Sequence, residues 1–262
     1  MKKKDFKRIT LLNILANILL QFSNIFSWFI IPKIILSNFG SDVNGLVSSI
    51  TQFLSYITLV EGGLTGVVTA TLYKPLIEND TKKISSIIKT SNIFYKKIGI
   101  IFILYCAILA IVYPILFDVK FSYLYVFTLV IILSLNLLIQ YMFSLTLKNL
   151  LNADKKGYIV SFTQTIILIL GVLLAYLSTK IYPSIHVLKL LTGLLFILQP
   201  IVFNRYVKKN YHIDYSIDED RDLLKQRWNG FAINIAAFIH NCTDIAILTI
   251  FTDFSTVSVY SA

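Results

Sequence analysis

What this chain can fold into is set first by four uncharged apolar runs: Ile9 to Ile31, Ile98 to Phe117, Phe121 to Leu147 and Tyr158 to Thr179. Crossing about 30 Å of hydrocarbon takes about 20 helical residues at about 1.5 Å each, and every run reaches that length. Three more stretches come close. Leu46 to Tyr73 carries only Glu61, Leu190 to Asn204 lies between Lys189 and Arg205, and Asn229 to Phe251 holds His240 and Asp244. Helices of a water-soluble core keep one polar face, and these runs largely lack it. Composition agrees: 56% of residues are hydrophobic and 15% charged, and the mean hydropathy is +0.73, outside the range of soluble globular domains. The fold expected is all-α, a polytopic transmembrane helix bundle.

Charge orients that bundle. The start MKKKDFKR resembles a signal peptide, but the apolar run after it is too long and lacks a small-residue cleavage site, so it reads as a retained first span. With the N-terminus in the cytoplasm, 20 of the 24 Lys and Arg fall on the inner side, leaving Lys33, Lys120, Lys180 and Lys189 outside. The reverse topology contradicts the positive-inside rule at every loop. The net charge of +10 is therefore a mark of topology. Spread over all inner loops without one patch and interleaved aromatics, it argues against a nucleic-acid partner.

Several chemistries fall away. Cys106 and Cys242 both lie in apolar runs, so no disulfide framework or clustered metal site is built, and His186 and His212 join no ligand set. No cofactor is expected. The outer connections, Pro32 to Gly45, Asp118 to Lys120 and Lys180 to Lys189, are too short to hold a catalytic domain. No catalytic residue is assigned, and the chain reads as a non-enzyme.

The inner connections are longer. Asn79-Asp80-Thr81 offers cap residues for a surface helix whose Ile77, Ile84 and Ile88 form a membrane-facing stripe, with a plain solvated linker as the other reading. Lys208 to Trp228 mixes Asp218, Glu219, Asp220 and Asp222 with Arg221, Lys225 and Arg227, as a hydrated hinge does. The chain divides there into an N-terminal lobe, 1–207, with spans 1 to 6, a cytoplasmic linker, 208–228, and the start of a second lobe, 229–262, with span 7 and the beginning of span 8. Asn234-Ile235 followed by Asn241 echoes Asn17-Ile18 followed by Asn24, the kind of repetition from which transporters are built.

The polar residues inside the spans are the candidate site. Asn13, Asn17, Gln21 and Asn24 follow one another at steps of four, four and three, along one helical face. A buried amide without a partner costs about 1 to 3 kcal/mol, so this stripe faces water or other helices. Cavity lining and interhelical hydrogen bonding both satisfy that requirement. Glu61, in Leu59-Val60-Glu61-Gly62-Gly63-Leu64-Thr65-Gly66, reads as a carboxylate at mid-depth, in the transport path or as a paired structural acid. Gly62 and Gly66 permit a close helix approach or a local break. Asp244 is a second acid of the same kind, with His240 one turn earlier as a partner.

The segment Glu61 to Val68 followed by Leu72-Tyr73-Lys74-Pro75-Leu76 resembles the end of the second span in oligosaccharide flippases of the Wzx-like polysaccharide biosynthesis family. The polar span 1, Gly40 and Asn44-Gly45 fit that family too. The resemblance implies membership of the multidrug/oligosaccharidyl-lipid/polysaccharide exporter superfamily, with a MATE-like architecture of two bundles around a central cavity. It implies movement of undecaprenyl-pyrophosphate-linked repeat units across the bacterial cytoplasmic membrane by alternating access, for capsule or lipopolysaccharide synthesis. Membrane lipid, the lipid-linked oligosaccharide, and the glycosyltransferases and polymerase of that pathway are the partners it implies. The substrate path then runs past Asn13, Asn17, Gln21, Asn24, Glu61, Asn234, Asn241 and Asp244. The deep cavity arginines of some relatives are missing, and Lys74 and Lys148 are the nearest cations for the headgroup. A cation-coupled multidrug exporter of the same superfamily is the alternative, and a membrane-bound polymerase or glycosyltransferase is another. Since the family has twelve to fourteen spans, the chain is expected to be a fragment of a roughly twice-longer transporter or a truncated product inactive by itself, unless a second copy supplies the missing wall.

Overall fold

Each uncharged run folds as a helix, and most helices extend past the runs that announce them. The computed structural model describes residues 3–61, 63–117, 120–220 and 244–261. Helix α1 covers Lys3–Phe39 and ends at Gly40, whose φ of 85° turns the chain into α2, Ser41–Ser55. A short α3, Ile57–Glu61, prolongs it. Gly63, at φ 77°, then starts α4, Leu64–Glu78. Left-handed Asn79 closes α4, and the Asp80 carboxylate accepts from the Lys83 amide at 3.0 Å to start α5, Thr81–Leu116. Helix α6, Tyr123–Ile139, passes through a π turn at Gln140–Ser144 into α7, Leu145–Ala153. Helices α8, Gly157–Ile181, α9, Ile185–Leu194, and α10, Leu198–Asn210, follow. Two short helices, α11 at Asp244–Phe251 and α12 at Phe254–Ser261, complete the described chain.

Six helical segments are long and apolar enough to cross a membrane: Lys7–Phe39, Ser41–Glu61, Thr81–Leu116, Tyr123–Ala153, Gly157–Ile181 and Ile185–Asn210. Each overlaps one of the first six spans read from the sequence, and the second is displaced, ending at Glu61 where the reading ran to Tyr73. Of the seventh, only residues 244–251 are described. The lateral surface is apolar: Trp28 is 75% and Phe29 72% exposed, and Ile115, Leu116 and Ile181 lie open on other helices. Such a surface is stable only against lipid or another apolar face, and the fold is compatible with a multi-pass membrane protein.

Inside, α1 packs along α8, α5 against α6, and α9 between α6 and α8. Leu46, Leu72, Ile87, Tyr95, Phe102 and Tyr113 are fully buried in the shared core. One end of the bundle carries the turns with Asp80, Lys155 and Lys208, hereafter the basic end. At the other end, Lys120 pairs with Asp42 at 3.0 Å.

Two inner segments differ from their reading in sequence. No separate surface helix follows Asn79. Residues 81–116 form one continuous α5, because Lys96 and Lys97 lie on its exposed side and do not interrupt it. Ile84 and Ile88 are buried in protein, and Ile77, on α4, is 80% exposed. The chain after α10 is docked along its described part where a hydrated hinge was read. The Ser85 hydroxyl accepts from the Asp214 amide at 3.0 Å, and Thr90 from that of Asp220 at 2.7 Å. Ser86 donates to the Asp218 carbonyl at 2.7 Å and Lys89 to that of Ile217 at 2.8 Å, while Lys83 pairs with Asp220 at 2.9 Å. Residues 211–220 thus form a strap on α5.

A close helix contact joins α2 to α12 and, through Thr249, to α11. Asn44 donates to Ser258 at 3.0 Å, Ser261 to Ser48 at 2.9 Å, and Thr249 to Ser49 at 2.7 Å, with Ser49 also bonded to Tyr113 at 2.6 Å. Backbones approach so closely that a Cβ at Gly45 would lie 1.8 Å from the Phe254 carbonyl oxygen, whereas one at Gly66 meets nothing within 4 Å. Close approach therefore belongs to Gly45. Gly45→Ala is expected to part the two helices at a cost of about 1–3 kcal/mol, lowering the temperature at which the detergent-solubilised protein stays monodisperse. Gly66→Ala should leave that temperature unchanged or raise it, since alanine gains up to about 1 kcal/mol over glycine within a helix.

Candidate functional site

Glu61 is the residue around which the polar groups of four helices gather. It lies twenty residues after Ser41, which at about 1.5 Å per residue is about 30 Å, the thickness of the hydrocarbon. The carboxylate is thus at the end of the Ser41–Glu61 segment that faces the basic end. The sequence reading centred the span on Leu46 to Tyr73, but α2 begins at Ser41 and the chain breaks at Gly63.

Thr65, at the start of α4 and four residues after Glu61, donates its hydroxyl to Glu61 Oε1. The Thr65 hydroxyl oxygen lies 2.8 Å from the Tyr95 hydroxyl on α5, and Asn149 Nδ2 on α7 lies 2.9 Å from Tyr95. Because Thr65 has one proton and gives it to Glu61, Tyr95 must donate to Thr65 and Asn149 to Tyr95, so the chain of donors runs toward the carboxylate. Tyr141 reaches Glu61 Oε2 at 3.4 Å, a longer contact. Lys148, beside Asn149, lies within electrostatic range of Glu61. Asn149 is fully buried, and its Oδ1 has no hydrogen-bond partner among the described residues.

The π turn brings these groups together. Tyr141 and Asn149 are eight residues apart, which in an unbroken α-helix turns them about 80° from one another. One extra residue in the turn makes the spacing equivalent to seven and reduces the angle to about 20°. Tyr141 and Asn149 thereby share the face toward α4 and α5. Neither was marked by the sequence reading, nor were Thr65 and Tyr95. A π turn leaves no hydrophobic-period signal in a run as uniformly apolar as Phe121 to Leu147.

The amide stripe of span 1 divides into two pairs. Asn13 Nδ2 donates to the Lys155 carbonyl at 2.7 Å and Oδ1 accepts from the Tyr158 amide at 2.7 Å, while Asn17 Oδ1 accepts from Ser161 at 2.8 Å. Lys156 precedes α8 and has no side-chain acceptor for its first turn. Asn13 supplies that cap from another helix. These two amides bind helices together. Gln21 is exposed and Asn24 half-buried, and no hydrogen bond of the described residues engages either side chain.

The remaining candidates separate. Lys74 is exposed and pairs weakly with Glu78 at 3.9 Å, away from the Glu61 cluster. Asp244 opens α11 and accepts from Tyr260 at 2.6 Å. Asn234, His240 and Asn241 lie outside the described residues, as does Gly62. His186 bonds to Thr128 at 3.0 Å and to the Tyr125 carbonyl at 3.0 Å, a packing role between α9 and α6. Among the described residues no group of three metal-ligating side chains forms.

Chemically, the Glu61 cluster is a carboxylate and an ammonium set among hydroxyl and amide donors at the edge of an apolar bundle, an arrangement that can grip a polar group or pass a proton but holds no activated nucleophile. The class these features define is a protein that is all-helical among the described residues, with six potential membrane-crossing helices there and an ionisable cluster at one end of them. Comparison with family models, curated proteins and solved structures gave no match.

Tyr95→Phe is expected to destabilise the protein by about 1–3 kcal/mol, since buried Asn149 loses its acceptor. Adding Asn149→Leu should recover part of that loss, and a double-mutant cycle of thermal unfolding in detergent reads the coupling. Asn13→Ala should also destabilise by about 1 kcal/mol, the usual worth of a helix cap. Gln21→Ala should leave the unfolding temperature in place; a fall equal to that of Asn13→Ala would mean that all four amides serve packing.

Proposed function

We propose that this chain belongs to a transporter that moves undecaprenyl-pyrophosphate-linked oligosaccharide units across the cytoplasmic membrane by alternating access. The observation that carries the reading is that Glu61 and Lys148 lie within electrostatic range of each other at the end of the Ser41–Glu61 segment that faces the basic end. In the proposed topology that end meets the charged headgroup of an inner-leaflet lipid, and an ammonium there meets a diphosphate while the carboxylate and its donor chain meet sugar hydroxyls or a proton. The resemblance of Glu61 to Val68 and Leu72 to Leu76 to the flippase pattern supports the same reading. Exposed and not paired with Glu61, Lys74 is the weaker headgroup candidate.

The donor chain from Asn149 to Glu61 also favours a second reading, a cation-coupled exporter in which Glu61 carries the coupling proton. Transport assays separate them. Cells depleted of the protein should accumulate lipid-linked units in the inner leaflet under the first reading, and should lose ion-dependent dye efflux under the second.

Glu61→Gln keeps the shape and hydrogen-bonding capacity of the side chain and removes its charge. The expected result is normal insertion with loss of surface polysaccharide in complemented cells. Wild-type export from the Gln variant would remove Glu61 charge from the mechanism.

A further inference from the structure

A cavity of about 760 Å³ opens at the basic end, between the first turns of α5, the last turns of α10 and the strap. Lys82, Lys208 and His212 line it, with Asp214 as the opposing acid. Among the described residues no hydrogen bond or ion pair engages the Lys82 or Lys208 ammonium or the His212 ring, and none of the three has an interaction left undescribed. Neighbouring cations are spent: Lys83 pairs with Asp220 at 2.9 Å, Lys156 with Asp154 at 2.7 Å, and Lys89 donates to the strap at 2.8 Å. Asp214 is spent too, because its Oδ1 accepts from the Ser216 amide at 2.8 Å and hydroxyl at 2.7 Å. Asp154, Asp214 and Asp220 thus neutralise other lysines or tie the strap, and Lys82, Lys208 and His212 are left without a paired acid in the cavity that they line.

That cavity does not end at the surface. Leu147, Asn204 and Tyr215 line both it and an adjoining pocket of about 180 Å³, whose other walls include Met142, Phe143 and Pro200, with Lys96 at its rim. Phe143 is 59% exposed on the lateral surface. A cationic mouth therefore adjoins a smaller groove of mixed lining, in which Met142, Phe143, Leu147 and Pro200 stand beside Asn92, Thr146 and Asn204, and which reaches the exposed Phe143. An anion with several oxygens suits the mouth, since ammonium groups bind phosphate as point charges, and an apolar chain suits the apolar side of the groove. Basic pockets between helices on the cytoplasmic side bind lipid headgroups by this chemistry.

We propose that Lys82, Lys208 and His212 form a site for the phosphate headgroup of an anionic membrane glycerophospholipid, with its acyl chain along Leu147, Met142 and Phe143. The site is separate from the Glu61 cluster and independent of the transport reading, because its test measures binding without flux.

The test is native mass spectrometry of the detergent-solubilised full chain titrated with phosphatidylglycerol, with phosphatidylcholine of the same acyl chains, and with phosphatidylglycerol plus inorganic phosphate. Phosphatidylglycerol should be retained at least about tenfold more tightly than phosphatidylcholine, and millimolar phosphate should not displace it. The Lys82→Gln/Lys208→Gln pair should weaken phosphatidylglycerol by about 25-fold, as each lysine near an anionic lipid contributes about fivefold. Lys97→Gln/Lys209→Gln removes the same charge from equally exposed positions at the same end that do not line the cavity, and should change binding less than threefold. Lys82→Arg/Lys208→Arg should keep binding, which guards against misfolding as the cause of a loss. Equal retention of the two lipids would overturn the proposal, as would an equal loss in both Gln pairs. Complete displacement by inorganic phosphate would overturn the lipid assignment.

Discussion

The structure rests on one requirement: a polar side chain carried into an apolar bundle must be met by another helix, because lipid offers it nothing. Glu61 states that requirement most strongly. Its carboxylate collects Thr65 from its own span, Tyr95 through Thr65, Asn149 through Tyr95, and Tyr141 directly. Three segments separated by long stretches of sequence are thereby fixed in mutual register at the basic end. Apolar packing alone would not specify that register, since leucine and isoleucine faces slide past one another with little penalty.

The same requirement explains why helix ends are capped from a distance. Helix α8 starts after Lys156, which cannot cap it, and Asn13 does so from α1. The strap uses the hydroxyls of Ser85, Ser86 and Thr90 on α5 to satisfy its own backbone. Its anchor beyond α10 is Tyr211, which donates to Asp154 and receives Lys156 at 3.1 Å. Burial first, and the Asp154 carboxylate second, raise the Tyr211 phenol above its ordinary range, so the hydroxyl keeps the proton that it donates.

How much of this was legible in the sequence follows from the range of each signal. Span existence was legible, because twenty apolar residues are a local property and the six helices fall where the runs are. Helix limits were less so: the reading stopped span 3 at Ile98, yet α5 begins at Thr81 because Lys96 and Lys97 are tolerated on its exposed side. The stripe on span 1 was visible as a period, but only contact with Lys155, Tyr158 and Ser161 divides Asn13 and Asn17, which bind, from Gln21 and Asn24, which do not. Glu61 stood out as an acid in an apolar run. Tyr95, Tyr141 and Asn149 did not, because tyrosine is common near membrane interfaces and the π turn that aligns two of them depends on tertiary packing. Gly45 was read as an entry motif, and its closeness to Phe254 depends on a partner more than 200 residues away in sequence, as the Asn44 to Ser258 separation of 214 shows.

The cap that Asn13 provides has a consequence in time. Tyr158 follows Asn13 by 145 positions, and at about 5–20 residues per second the ribosome needs about 7 to 29 s to make that interval. Throughout it the amide that α1 caps does not yet exist, and Asn17 waits equally for Ser161. Helix α1 thus begins life with an unmatched polar stripe, costly wherever it meets an apolar medium. Early survival of α1 therefore depends on something that shelters its stripe until the fifth span arrives, whether water at the interface or the insertion machinery, and the rate of synthesis becomes part of the folding problem.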